Sequence, residues 1–220
     1  MKRFLAFLLV LIMSVSLIAC SEEDDVRGDV SGNDEGNTKE ESFSLGTSSG
    51  GVYTNGFIGI GCKLDDDWTF YDDEQIKELN NFTTSLAGED FAEAVADAEI
   101  IYDMYASKAD GTNIVVNLEK TNAAQQALIS TEKYFNETTI KSLTDTLENM
   151  GCENITPEKA TVKIGNKDFH ALRITSEMYG ISMNQLSVVI KCSGYFASIC
   201  ITTINEDATD EILAKFYLVD

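Results

Sequence analysis

The sequence predicts an α+β domain, an antiparallel β-sheet covered by helices on both faces. Three observations carry that prediction. Segments alternating apolar and polar residues are punctuated by Asp110-Gly111, Gly165-Asn166 and Ser193-Gly194, pairs that turn a strand back on its neighbour. Stretches with apolar residues at every third or fourth position lie before, between and after these strands. The 220 residues are 44% hydrophobic, which supplies one core, and the length fits one domain with appendages.

The chain opens on an address. Lys2 and Arg3 precede an unbroken apolar run over residues 4–13, FLAFLLVLIM, which is too short to span a membrane and has signal-peptide proportions. It ends in Leu17-Ile18-Ala19-Cys20. This resembles the bacterial lipoprotein signal, in which a peptidase cleaves before the cysteine. The resemblance implies that residues 1–19 are removed and that the Cys20 thiol carries a diacylglyceryl group. Small Ala19 admits the peptidase, and two acyl chains give stable anchoring where one is marginal. The implied location is the extracytoplasmic face of the cell membrane.

Residues 21–42 hold nine acids, two bases and almost no apolar side chain. Such a segment cannot bury enough surface to offset its ordering entropy, so it reads as a disordered tether. As flexible coil its 22 residues span about 26 Å. The Ser/Gly-rich residues 43–51 read as its continuation, so the expected domain runs over 52–220.

Within it, residues 53–64 alternate, with Ile58, Ile60, Cys62 and Leu64 on one face, as in a strand. Asp65-Asp66-Asp67 turns the chain before Trp68. Asp72 or Asp73 caps a helix carrying Ile76, Leu79 and Phe82, and a second helix follows Gly88 with Phe91, Ala94, Val95 and Ala98 inward. Strands over 100–108 and 112–120 form a hairpin. Ser130 or Thr131 starts the longest helix, which runs to Met150 and ends at Gly151. Strands over 160–164, 167–175, 182–191 and 195–204 follow, then a terminal helix with Ile212, Leu213 and Phe216.

The segment over 51–68, GVYTNGFIGIGCKLDDDW, and the strands from Asp168-Phe169 to Ile204 resemble the PsbP/Mog-like fold found in lipoproteins of Gram-positive bacteria. That resemblance implies an α/β/α sandwich in a cell-surface setting. It transfers no metal-binding or partner-binding residue, because no position here matches such a motif.

The charge narrows the function. With 37 acids against 16 bases the net charge is −21, so the chain has no electrostatic route to nucleic-acid phosphates. A single His170 thins out histidine catalysis and multi-histidine metal sites. Gly46-Thr47-Ser48-Ser49-Gly50 matches Gly-x-Ser-x-Gly, but a nucleophile elbow needs a strand before the serine and a helix after it. Ser130 and Lys133 match Ser-x-x-Lys without its companion motifs, and a helix cap explains the serine. Asp65, Asp66 and Asp67 are candidate oxygen ligands for Ca²⁺, but no calcium-loop spacing follows, and a solvated turn is the simpler reading. No cofactor motif is present. Cys62, Cys152, Cys192 and Cys200 permit three disulfide pairings. A two-residue turn at Ser193-Gly194 places Cys192 opposite Tyr195 and Cys200 opposite Ser187, which makes those two cysteines poor partners.

The expected function is a membrane-anchored binding module without catalysis, attached through Cys20 and facing an extracytoplasmic protein, peptide or wall component. The alternative is a carboxylate-based hydrolase of cell-envelope polymers, which requires two close, partly buried carboxylates in a cleft.

Overall fold

The computed structural model describes residues 43–81, 94–95 and 98–219. The signal peptide, Cys20, the acidic segment, Phe82 and Phe91 lie outside the described residues.

In chain order the strands are β1 (Thr47–Ser49), β2 (Val52–Asn55), β3 (Ile60–Lys63), β4 (Thr69–Phe70), β5 (Ile100–Ser107), β6 (Asn113–Lys120), β7 (Cys152–Ile164), β8 (Lys167–Met178), β9 (Ile181–Cys192), β10 (Tyr195–Ile204) and β11 (Phe216–Leu218). The helices are α1 (Asp73–Leu79), α2 (Ala123–Leu128), α3 (Thr131–Tyr134), α4 (Glu137–Asn149) and α5 (Thr209–Leu213). The strands form two antiparallel sheets, one of four strands ordered β1-β2-β3-β11 and one of seven ordered β4-β5-β6-β10-β9-β8-β7.

The expected α+β class holds, but the covering differs. One face of the large sheet packs on the small sheet, not on helices. Tyr53, Ile60 and Cys62 of the small sheet meet Val116, Leu118, Val188, Ile199 and Ile201 of the large one, with Ile212 and Leu213 of α5 closing one end. Helices take the other face. Leu143 and Leu147 of α4, with Phe135, pack on Leu172, Ile174, Val189 and Phe196. Ile76 and Leu79 of α1 cover Tyr105, Val115 and Cys200. Alternation makes both faces apolar, so β10 at the sheet's centre is buried over nearly its whole length.

Several elements depart from expectation for local reasons. The alternating run over 53–64 is a hairpin, β2 and β3, turned at residues 56–59 with Gly59 at φ +67°. Phe57 and Ile58 sit in that turn yet are buried, which mimics unbroken alternation in the sequence. The expected linker over 43–51 belongs to the fold: β1 pairs with β2, and the Phe43 ring stacks on Tyr195 with centroids 4.8 Å apart. The long helix is broken into α3 and α4, because the Asn136 side chain caps α4 by accepting from Thr139 N–H at 3.0 Å. Gly151, at φ +89°, ends α4 as expected. Asn136→Ala is expected to cost about 1 kcal/mol of stability in denaturant titration, the usual worth of such a cap. Phe216 is not helical but starts β11, which pairs with β3.

The hairpins over β5–β6, β7–β8 and β9–β10 fall where their turn residues place them. Cys192 lies opposite Tyr195 and Cys200 opposite Ser187, the register read from the turn. β7 is longer than expected and forms an edge of the large sheet, with Pro157 in it and a break in register between Glu153 and Thr156. Proline is tolerated there because an edge strand leaves one row of N–H groups unpaired.

Candidate functional site

A lone acid in the apolar strand β5 marks the first site. Asp103 is the one carboxylate buried among the described residues, at 6% exposure. The β5–β6 register breaks between Tyr102 and Met104, so Asp103 is the extra residue of a bulge, which re-aims its side chain. Three neutral donors converge on it. Gly46 N–H donates to Oδ1 at 2.8 Å, while Tyr53 O–H and Asn55 Nδ2 donate to Oδ2 at 2.5 and 2.7 Å. Burial holds the Asp103 carboxyl above its usual range, and the three hydrogen bonds offset this only in part. Burial and the neighbouring Asp103 charge push the Tyr53 phenol well up. A Cβ on residue 46 would run into the Tyr53 ring, so only glycine brings the backbone this close. The arrangement ties the start of the fold and the small sheet to the large one. Beside it lies a cleft of about 410 Å³ lined by Tyr71, Ile76, Asn80 and Asp103, with Asp73 at the exposed start of α1.

The second site lies at the far end of β10. A cleft of about 500 Å³ is lined by Asp65, Asp110, Glu206 and Glu211 together with Lys108 and Lys215. Both lysines are already occupied. Lys215 Nζ is 2.8 Å from Asp65 Oδ2, and Lys108 Nζ is 2.8 Å from Asp67 Oδ2 and 5.0 Å from the Trp68 ring centroid. Lys215 therefore holds the Asp65 carboxyl below the usual carboxylate range. Trp68, Ile204 and Ile212 supply the apolar part of the lining. Thr203 also lines the cleft; it is 2% exposed, and its Oγ1 has no hydrogen-bond partner.

The residues singled out by sequence fall as follows. Asp65 and Asp67 face the two lysines and Asp66 is exposed, while Trp68 N–H donates to Asp65 C=O to close the turn. Among the described residues no three His, Cys, Asp or Glu side chains gather as metal ligands do. Ser48 is exposed on β1, and the chain then turns at Gly50 and Gly51 without entering a helix. Ser130 caps α3 by accepting from Lys133 N–H. His170 is half-buried in β8 opposite Thr161. The four described cysteines are free thiols. Burial pushes Cys62 and Cys192 up to about 12 and Cys200 to about 11, which keeps them protonated and unreactive at neutral pH. No described helix is long and apolar enough to cross a membrane.

Sequence reading missed both Asp103 and Thr203. Asp103 had a signal, a single acid between Ile101-Tyr102 and Met104-Tyr105. Thr203 had none, because threonine is an ordinary strand residue.

These features define a two-sheet α+β domain with an interior carboxylate pin and an open polar cleft at one pole. No protein-family model and no curated protein matches the sequence. Among solved structures, a protein of Bacteroides thetaiotaomicron is 16% identical with a TM-score of 0.34, over 74% of this chain and 46% of that one. This chain therefore spans less than half of the Bacteroides protein. LpqN, involved in cell envelope biogenesis of Mycobacterium tuberculosis, is 16% identical with a TM-score of 0.39, over 73% of this chain and 83% of that one.

Proposed function

We propose that this chain is a lipid-anchored lipoprotein on the extracytoplasmic face of the cell membrane, and that its domain binds a partner without catalysis. Residues 17–20, Leu-Ile-Ala-Cys, support the anchor through Cys20. The assignment to Gram-positive lipoproteins with a PsbP/Mog-like domain rests on residues 51–68 and the closing strands.

One observation carries the binding role. Phe43, which follows the acidic segment, stacks on Tyr195, the first residue of β10. The cleft takes in Thr203 to Glu206, at and just past the last residue of β10. The ten residues of β10 span about 30 Å at 3.4 Å per residue. An anchor joined through Phe43 would enter the domain at the end of β10 opposite the cleft, which supports a cleft facing a protein, peptide or wall component.

The hydrolase alternative has less support. Asp73 and Asp103 line one cleft, but Asp73 is exposed and both oxygens of Asp103 are held by neutral donors. A general acid or base needs an oxygen turned to the substrate.

Two measurements test the proposal. Cys20→Ser is expected to move the protein from the membrane fraction to the soluble one; retention in membranes overturns the anchor. A photo-cross-linker replacing Ala208, which lines the cleft, is expected to give a discrete adduct on intact cells where one replacing Glu137 on α4 does not. Equal labelling at both positions overturns the binding face.

A further inference from the structure

A third cleft, of about 520 Å³, lies at the Tyr195 end of β10, lined by Ser44, Phe57, Lys167, Lys191 and Cys192. Its charged lining residues are both lysines, in a chain that carries 37 acids against 16 bases. Neither lysine has a carboxylate partner among the described residues. Lys167 Nζ stands 5.2 Å from the Phe169 ring centroid. Lys191 Nζ donates to the backbone C=O of Gln126 and Ile129 at the end of α2, neutral acceptors that leave its charge uncompensated. Asp168, next to Lys167 in sequence, is held by Lys163 at 2.6 Å.

The order of the chain supplies the missing counter-charge. Phe43 is fixed by two rings, with centroids 4.8 Å away at Tyr195 and 5.3 Å away at Phe57. Ser44 lines the cleft itself. The acidic segment is thus joined to the fold at the mouth of the cleft, and its last two acids, Glu40 and Glu41, precede Ser44 by four and three residues. An extended chain covers about 3.4 Å per residue, so neither acid can lie more than about 14 Å from Ser44. A link this short sets an effective concentration of about millimolar, which populates ion pairs too weak to hold two separate molecules together.

We propose that Glu40 and Glu41 occupy this cleft as ion-pair partners of Lys167 and Lys191, so that the acidic segment docks on its own domain. The dock goes beyond the binding-module reading and does not rest on it. It withdraws two lysines from anionic lipid headgroups and fixes the side from which the domain is held.

The test is zero-length cross-linking of the full chain in neutral detergent with a carbodiimide, which joins a carboxylate to an amine it touches, followed by peptide mass mapping. Cross-links from Glu40 or Glu41 to Lys167 or Lys191 are expected to exceed those to Lys141 on α4 at least fivefold. They are expected to disappear in about 1 M salt, where charges are screened beyond about 3 Å. Equal cross-linking to Lys141, or cross-links unchanged by salt, overturns the dock. Trypsin cleavage after Lys39 gives a second readout. Lys167→Gln with Lys191→Gln is expected to speed it severalfold, and Lys141→Gln to leave it unchanged. Lys167→Gln alone, which leaves the contacts of Lys191 with α2 intact, is expected to move it in the same direction. Unchanged cleavage in both Lys167 variants overturns the dock. Absence of the cross-links, together with slower acetylation of Lys167 and Lys191 in phosphatidylglycerol micelles than in phosphatidylcholine ones, assigns the cleft to a lipid headgroup and also overturns it. Labelling at Ala208 decides the binding-module reading separately.

Discussion

Asp103→Ala is expected to lower the unfolding free energy by about 3 kcal/mol, read from the midpoint of a denaturant titration. The substitution strips the acceptor from three donors at once, two of them on side chains almost fully buried, Tyr53 at 0% and Asn55 at 1% exposure. Each buried donor left unpaired costs about 1–3 kcal/mol, and relief of the buried charge returns part of the total. Tyr53→Phe on its own removes one donor and costs less. In the Asp103→Ala background its additional cost falls towards zero, because the phenol has already lost its partner. A double-mutant cycle with coupling below about 0.5 kcal/mol removes the pin from the account of stability.

The same carboxylate gives a pH signature with a definite sign. Its folded pKa lies above its unfolded one, because burial outweighs the hydrogen bonds. Its contribution to stability is thus complete below the unfolded value, near pH 4, and is lost as the pH rises through the raised folded value. Asp103→Asn takes that term out. The stability profile of the variant is expected to fall less than that of the native chain as pH rises above about 4. Parallel profiles refute the burial argument.

Phe196→Ala is expected to be the most damaging single truncation, at about 3–5 kcal/mol, with the thermal midpoint lowered by about 10 °C. Phe196 lies in the central strand at 0% exposure and packs against Tyr134, ring centroids 5.0 Å apart, beneath α3 and α4. Few neighbours can collapse into the space it leaves. The strand is hydrogen-bonded on both sides, and Leu147 and Val189 are themselves fully enclosed. Phe196→Leu keeps most of the volume and is expected to cost less than half as much. Equal losses in the two variants point to the ring contact with Tyr134 instead of the cavity.

The hairpins of the large sheet were legible in the sequence because their turns are local. Asp110-Gly111, Gly165-Asn166 and Ser193-Gly194 each fix a register within a few residues, and alternation then fixes which side chains go inward. The small sheet was not legible. Its strands are three or four residues long, too short to show a period, and β11 reaches β3 across about 150 residues of chain. β7 was read too short because Pro157 and the exposed Glu158 and Lys159 look like loop, and the edge position that makes them acceptable is a property of the sheet. The cleft was half legible. Asp65 to Asp67 stood out as an acidic turn, but Lys108 in the β5–β6 turn and Glu206, Glu211 and Lys215 around α5 meet it only in the folded chain. The lysines that pair with Asp65 and Asp67 lie some 40 to 150 positions away in sequence, beyond the reach of local spacing.

The edge formed by β7 bears on how densely this protein can be stored or displayed. A 13-residue strand with a free flank is a template on which a second molecule can add strand to strand, the first step towards fibrous aggregates. Pro157 cannot donate to such a partner, the break at Glu153 to Thr156 bends the flank, and Glu158, Lys159 and Lys163 carry exposed charges along it. Crowded copies therefore meet an edge that refuses to zip, and the sheet stays finite where molecules are packed side by side.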